Sequence, residues 1–530
     1  MMRTMRTMRT MSTSQGPRRG LRLTQLAAGL ALAAVGVTIG DNYIPRLPDH
    51  RGFFLVPVDD LVRAAPPPRP RHTVVVVADG LGLAPARGMQ VTARLQAAGQ
   101  CRVTDVGPIS VSRPVYAVIS TGLEQDRTGA RNNDETSPLA AQSIWDVARA
   151  AGLEVTGTSD VPWWRQLFPH GFDHYRVRPE AEDYFADLRL TDLTLVHPAY
   201  IDHLGHASGS ASAEYAAGVA RLDAELGAFL DRLDLARDLI IFTADHGHAA
   251  RGGHGGPSPE IARVLTCFAG RGVAHRDDGD AITARTLAGT LAVLLGLPFP
   301  KHMRALDDEL DAIFTIVDPT PAVYPADYLA DRRAAIAHRR AENQAALTAW
   351  LGHPGTWADL HAARATPQRL RAALVALLTI AAFTLAARRR RLGPRAALTL
   401  ALACLAIAAA TALLHILVLG SLDWTAINLR ERYLVAAPLI CAAPALLAIA
   451  IHAWRLRDLD RLVADQLTLA ALALALDLGH IFIYSWPLGF PLPGPTMLLL
   501  PFLASFFLVV HALLAALLAA LALLRPARTA

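Results

Sequence analysis

The chain has 530 residues, is 52% hydrophobic with a mean hydropathy of +0.29, and carries a formal net charge of +5. That length excludes one ordinary domain, and the apolar excess excludes a wholly water-soluble enzyme of usual composition. Much of the positive charge lies in arginines flanking apolar stretches, so it is no argument for nucleic-acid binding, and no nucleic-acid partner is expected.

In chain order, residues 1–21 form a basic leader with Met-Arg-Thr repeats, read as a start-codon region, before an apolar run at 22–40. A cleaved signal peptide shares that basic flank and short core. No clear A-x-A site follows, so an uncleaved anchor is expected. Further runs at 370–387, 396–420, 434–454, 464–485 and 496–524 are long enough to cross a bilayer, which takes about 20 apolar residues. Arginines precede the first span (Arg3, Arg6, Arg9, Arg18, Arg19, Arg22) and follow the second (Arg388 to Arg391), fourth (Arg455, Arg457, Arg461) and sixth (Arg525, Arg528). Cytoplasmic flanks collect such charge. Alternating six spans puts all four clusters inside and region 41–365 outside; Arg430 and Arg432 run against the rule, with Glu431 between them. The expected organisation is a cytoplasmic N-terminus (1–21), an anchor (22–40), an extracytoplasmic catalytic domain (41–325), a helical linker (326–368) and a five-span bundle (369–525). A multi-pass protein of the cytoplasmic, inner membrane is expected.

The outer region alternates strand and helix signals. "HTVVVVADG" is a continuous β-branched run that ends in a turn, the mark of a buried parallel strand. "DLTLVHPAYID" and "DLIIFTADHG" repeat an apolar run that stops at an aspartate. Between them, Tyr215, Val219, Leu222, Leu226, Leu230 and Leu233 fall on one helical face. Strands separated by helices imply an α/β fold, a parallel sheet sandwiched by helices, with ligands beyond the carboxyl ends of the strands.

Three strand ends carrying acids converge on that edge. The candidate ligands are Asp79, Asp202, His206, Asp245, His246 and His254, with Ser110 in "ISVSRP". A lone Asp at a strand end is usually a cap or turn residue, and a lone His beside Gly usually lies on the surface. The recurrence of D-x-x-G-H and D-H-G at successive strand ends overrides that reading. Carboxylates with imidazoles suit zinc, or else manganese or iron. Two adjacent metals suit attack of an oxygen nucleophile on phosphorus, where both attacking and leaving oxygens need charge neutralised. Cys101 and Cys267 lie in the outer domain, where a disulfide is chemically allowed; two separate buried thiols fit equally well.

The outer domain resembles the alkaline phosphatase superfamily, in its type I phosphodiesterase/nucleotide pyrophosphatase branch. Within that branch it is most similar to the glycosylphosphatidylinositol (GPI) ethanolamine phosphate transferases. "VVVVADGLG", "SRPVYAVISTGLEQD", "IDHLGHASG", "FTADHGHAARGGHGG" and "ITARTLAGTLAVLLGLPFPKH" carry the likeness. It covers roughly 70–305 by motif and the whole chain by layout: anchor, outer domain, C-terminal spans. The resemblance implies Asp79, Ser110, Asp245 and His246 around one metal and Asp202, His206 and His254 around the other. Ser110 takes the place of the family's usual threonine, with Ser112 as the second choice of nucleophile. Val115 and Tyr116 depart from the family's small residue or Asn followed by His. Asn132 and Asn133 are either phosphoryl-orienting or turn residues.

His248 follows His246 too closely to join the same metal and is read, with His170, His197 and His203, as a surface or structural residue before a substrate contact. Asp477 and His480 share a helical face in the fifth span, either a structural pair or a lipid contact. The expected activity is transfer of a phospho-alcohol group, such as phosphoethanolamine, from a membrane phospholipid to a glycan or lipid acceptor. The alternative is a phosphodiesterase or phosphatase using water. A sulfatase is disfavoured because no C/S-x-P-x-R signature surrounds Ser110, and an idle scaffold or transporter because the ligands are complete and no span has repeated Gly/Pro breaks. The Ala- and Arg-rich composition points to a bacterial chain, which makes a GPI acceptor unlikely.

Overall fold

The structure is a computed structural model that describes residues 15–43, 54–60, 64–130, 132–133, 136–277, 279–304, 308–456, 458–484 and 495–524. Arg3, Arg6, Arg9, Arg457, Arg525 and Arg528 of the predicted basic flanks lie outside the described residues.

Between the first and second apolar helices the described residues build one eight-stranded sheet. Its strands are β1 (Thr73–Val77), β2 (Gly99–Asp105), β3 (Val155–Ser159), β4 (His174–Val177), β5 (Leu193–His197), β6 (Leu239–Thr243), β7 (Arg263–Gly270) and β8 (Ile282–Thr283). They lie in the order β4-β3-β5-β1-β6-β7-β2-β8. The expected parallel sheet between helices is present. Among the described strands, β7 alone runs antiparallel, to both β6 and β2. Val74 to Val77 of β1 are fully buried, as expected where helices cover both faces, and each buried valine contributes roughly 1.5–3 kcal/mol.

Helix Ala213–Leu230 starts at Ser212, whose hydroxyl accepts the Tyr215 N–H at 3.1 Å. Its buried residues include the predicted stripe from Tyr215 to Leu230, while Leu233 lies past its end and is partly buried. Cys101 and Cys267 oppose each other in the β2–β7 register and form a disulfide, so the pairing left open by spacing is decided by strand neighbourhood.

Among the described residues, six helices are long and apolar enough to cross a membrane: Arg18–Asp41, Trp357–Arg389, Pro394–Leu419, Arg430–Ile451, Leu459–Ile483 and Leu499–Leu524. The chain is a multi-pass membrane protein. Leucines such as Leu377, Leu405 and Leu447 are exposed on these helices, a surface that lipid would cover. At one end of the bundle Arg22 pairs with Asp460 at 2.8 Å and Arg390 with Asp465 at 2.7 Å. Those arginines flank the first and second spans, so two of the predicted basic clusters gather at that end. The linker 420–429, between the third and fourth spans, meets the sheet domain through Asn428 and His206. Asp477 accepts a hydrogen bond from Ser505 at 3.0 Å, a polar pair inside the bundle.

Candidate metal centre

The central strands β5, β1 and β6 are neighbours, so the segments leaving their carboxyl ends share one edge. Asp79 lies two residues past β1, Asp202 is in helix Tyr200–Ser208 after β5, and Asp245 and His246 follow β6. Helix Ser112–Thr121 starts beside them after β2. Gly205 has no side chain to obstruct His248, which packs against it in the following loop.

Among the described residues, two groups have ligand atoms all within 4.8 Å of one another: Asp79, Asp245 and His246, and Asp202, His246, His248 and His254. His206 adjoins the second, its Nε2 3.1 Å from His254 Nε2 and 3.4 Å from Asp202. The six Asp and His residues predicted from the strand ends therefore come together. His248 joins them, with its Nε2 at 2.8 Å from Asp202 Oδ1. His248 stands two residues after His246, the spacing that puts side chains on one side of an extended chain, and that spacing is the signal that could have favoured it over the surface reading.

The hydrogen bonds assign the histidine tautomers. Nδ1 of His246 faces the Gly247 carbonyl (3.2 Å), and Nδ1 of His254 faces that of Ser110 (2.8 Å). Carbonyl oxygens only accept, so each Nδ1 carries the proton and each Nε2 presents a lone pair. Asp79 Oδ1 and Asp245 Oδ2 are buried with no hydrogen-bond partner. They lie 3.4 and 3.3 Å from His246 Nε2. Three buried carboxylates and bare imidazole nitrogens aimed at one space fit a divalent cation, and uncompensated they are costly.

The protonation tendencies agree. Burial, then the charges of Asp79 and Asp202, push Asp245 well above the usual carboxylate range. Burial also opposes ionisation of Asp202, but the His248 hydrogen bond and the nearby imidazoles outweigh it and hold Asp202 well below that range. Burial lowers His246 to about 4 and His254 well below its ordinary value, so both stay neutral donors at pH 7.

Around Asp79 lies a partner set that strand-end reasoning missed. The Tyr116 hydroxyl donates to Asp79 Oδ2 and lies 2.7 Å from His197 Nε2, while His197 Nδ1 is 2.8 Å from Ser159 Oγ. Tyr116 stacks on Trp164 with ring centroids 4.3 Å apart. Its position four residues after Ser112 puts both on one helix face, the only local signal for it. His203 instead pairs with Glu180 at 3.1 Å.

The geometry corrects the expectation for Ser110. Its Oγ donates to the Gly256 carbonyl (2.6 Å) and accepts from the Gly255 N–H (3.2 Å), so its hydroxyl braces the glycine loop instead of facing the ligand cluster. Ser112 faces it: its Oγ lies 3.2 Å from His246 Nε2, and Asn133 Nδ2 donates to it at 3.3 Å. Ser112 is also the first residue of a ten-residue helix, where the unpaired N–H groups and the macrodipole favour phosphate.

A family model described as type I phosphodiesterase / nucleotide pyrophosphatase matches residues 143–252, the stretch that carries Asp202, His206, Asp245 and His246. The human GPI ethanolamine phosphate transferase 2 catalytic subunit is 25% identical over 326 residues, 51% of this chain and 32% of that protein. The human GPI ethanolamine phosphate transferase 3 catalytic subunit is 31% identical over 216 residues, 37% of this chain and 20% of that one. The match thus spans about a third or less of these relatives. Murine ectonucleotide pyrophosphatase / phosphodiesterase 5 aligns with a TM-score of 0.37 at 14% identity, over 44% of this chain and 96% of that structure. The family match thus lies on the ligand-bearing strand ends, and over residues 143–252 the chain is similar to the type I phosphodiesterase / nucleotide pyrophosphatase family.

Proposed function

We propose that the protein transfers a phospho-alcohol group, such as phosphoethanolamine, from a membrane phospholipid to a glycan or lipid acceptor on the extracytoplasmic face of a bacterial inner membrane. One observation carries the reading beyond a generic phosphoesterase. The ligand cluster is packed against 420–429, the linker between two membrane-crossing helices, so the reacting phosphorus would lie where lipid headgroups lie. Region 41–325 is then the catalytic unit, 326–368 the helical linker and 369–525 the bundle that presents the donor.

Asp79, Asp245 and His246 would hold one divalent ion and Asp202, His206, His248 and His254 the other, with zinc the first candidate and manganese the second. When bound, the ions neutralise charge on the phosphoryl oxygens and lower the pKa of a serine hydroxyl. Ser112 Oγ forms a bond to phosphorus as the bond to the glyceride oxygen breaks. The serine proton leaves, the departing oxygen takes one up, and diacylglycerol is released. The acceptor hydroxyl then displaces Ser112 by the reverse exchange. Asn133 orients Ser112, and Ser110 holds His254 through its carbonyl.

Mass spectrometry of the full chain incubated with phosphatidylethanolamine tests this. A phosphoethanolamine adduct is expected on Ser112. It should be present in Ser110→Ala, absent in Ser112→Ala, and persist until an acceptor is added. Rapid loss of the adduct to water in the absence of acceptor would establish the hydrolase instead. An adduct on Ser110 would overturn the choice of nucleophile.

A further inference from the structure

The linker between the third and fourth membrane helices does more than touch the outer domain. Asn428, in that linker, clasps His206 at two points 222 residues away in sequence: Nδ2 donates to the His206 carbonyl at 2.9 Å, and Oδ1 meets His206 Nδ1 at 2.8 Å. The first contact orients the amide, because a carbonyl accepts only from the NH2 end. Oδ1 is thereby left facing the imidazole, and an oxygen acceptor there requires the proton on Nδ1. His206 Nε2 must then present its lone pair to Asp202 and His254, 3.4 and 3.1 Å away. His254 Nε2 carries a lone pair too, since its Nδ1 donates to Ser110. Two imidazole lone pairs facing each other at 3.1 Å repel unless a cation lies against both.

The surroundings show a built contact. A Cβ on Gly252 would lie 2.5 Å from Asn428 Nδ2, one on Gly255 2.6 Å from Trp424 Cδ1, and one on Gly256 2.5 Å from Thr425 Oγ1. Trp424 packs on Ile109 and Val111, at the approach to Ser112. The glycine run around His254 is thus moulded to the membrane linker.

We propose that Asn428 is a positioning residue of the metal centre: it fixes the tautomer and direction of His206, so the second ion site is complete only when the membrane bundle is docked on the outer domain. This rests on the two-ion reading above. Outer-sphere partners of ligating histidines typically affect metal affinity by about 10–100-fold.

The test is competitive titration of purified full-length protein with Zn2+ against a chromophoric chelator, and with Co2+ read by its visible absorption. In Asn428→Ala, the affinity for one ion should fall about 10–100-fold while the other is unchanged. Asn428→Asp, whose carboxylate still accepts from Nδ1–H, should recover most of the loss. Asn428→Ala added to His206→Ala should cost nothing further. Equal weakening of both ions, wild-type affinity in Asn428→Ala, or additive losses in the double variant would overturn the inference. A wild-type chain that binds neither Zn2+ nor Co2+ would instead refute the metal centre itself, and the clasp's role with it.

Discussion

Gly255→Ala probes the moulding of the catalytic loop with a magnitude the structure supplies. Gly255 has φ +106°, and a Cβ there would sit 2.6 Å from Trp424 Cδ1 and 3.2 Å from two more atoms of that side chain. Two effects add. A non-glycine residue at such φ costs about 1–2 kcal/mol. Ordinary contact begins near 3.4 Å, so the loop or the indole must retreat by about 0.8 Å. The indole is held by Ile109 and Val111, so the loop gives way and carries the adjoining His254 with it. A displacement near 1 Å in a catalytic site can cost about 100-fold in rate. Gly152→Ala supplies the control: φ is +81° but nothing lies within 4 Å of its Cβ. Gly152→Ala should lose only the backbone cost of ~1–2 kcal/mol, a fall in Tm of about 2–8 °C, and Gly255→Ala at least as much, since the contact with Trp424 adds to it. Only Gly255→Ala should lose about 100-fold in turnover of a chromogenic phosphodiester. Equal activity in the two variants would refute the reasoning and leave Gly255 as a turn residue.

Strong chelation, or Asp245→Ala, should abolish turnover, and the purified protein should contain close to two equivalents of zinc or another transition metal; full activity after both treatments would refute the two-ion site. Joint replacement of Cys101 and Cys267 by alanine should cost about 4–5 kcal/mol, since the disulfide closes a loop with sequence separation 166, read as a chemical-denaturation midpoint under non-reducing conditions. Burial opposes ionisation of Glu124, but Arg304, Arg285 and Arg127 outweigh it and hold its pKa below the ordinary value. Its ionised form therefore stabilises the fold fully above about pH 4.3, and that contribution is lost as pH falls through the lowered folded value. Glu124→Gln should accordingly unfold earlier than wild type at pH 7, with the gap closing below pH 4. Reporter fusions near residue 360 and at the C-terminus should read outside and inside respectively; an outside signal at the C-terminus would show the spans miscounted.

What the sequence determined by itself is what local chemistry signals. Apolar runs that stop at an acid marked β1, β5 and β6 and placed Asp79, Asp202 and Asp245 at one edge, because a parallel sheet brings all its carboxyl ends together. The six spans were equally legible, since a bilayer demands about 20 apolar residues in an unbroken row. Tertiary structure decided the rest. The run "RVLTCFAG" reads as a strand in either direction, and only pairing with β6 and β2 makes β7 antiparallel and brings Cys267 onto Cys101. Ser110 and Ser112 carry the same hydroxyl, and the start of helix Ser112–Thr121 separates them: one turns to the glycine loop, the other to His246. Asn428 has no local signal at all. Its meaning comes from a hydrogen bond across 222 residues, and such a contact exists only once the packing of the membrane bundle against the sheet domain has closed the distance.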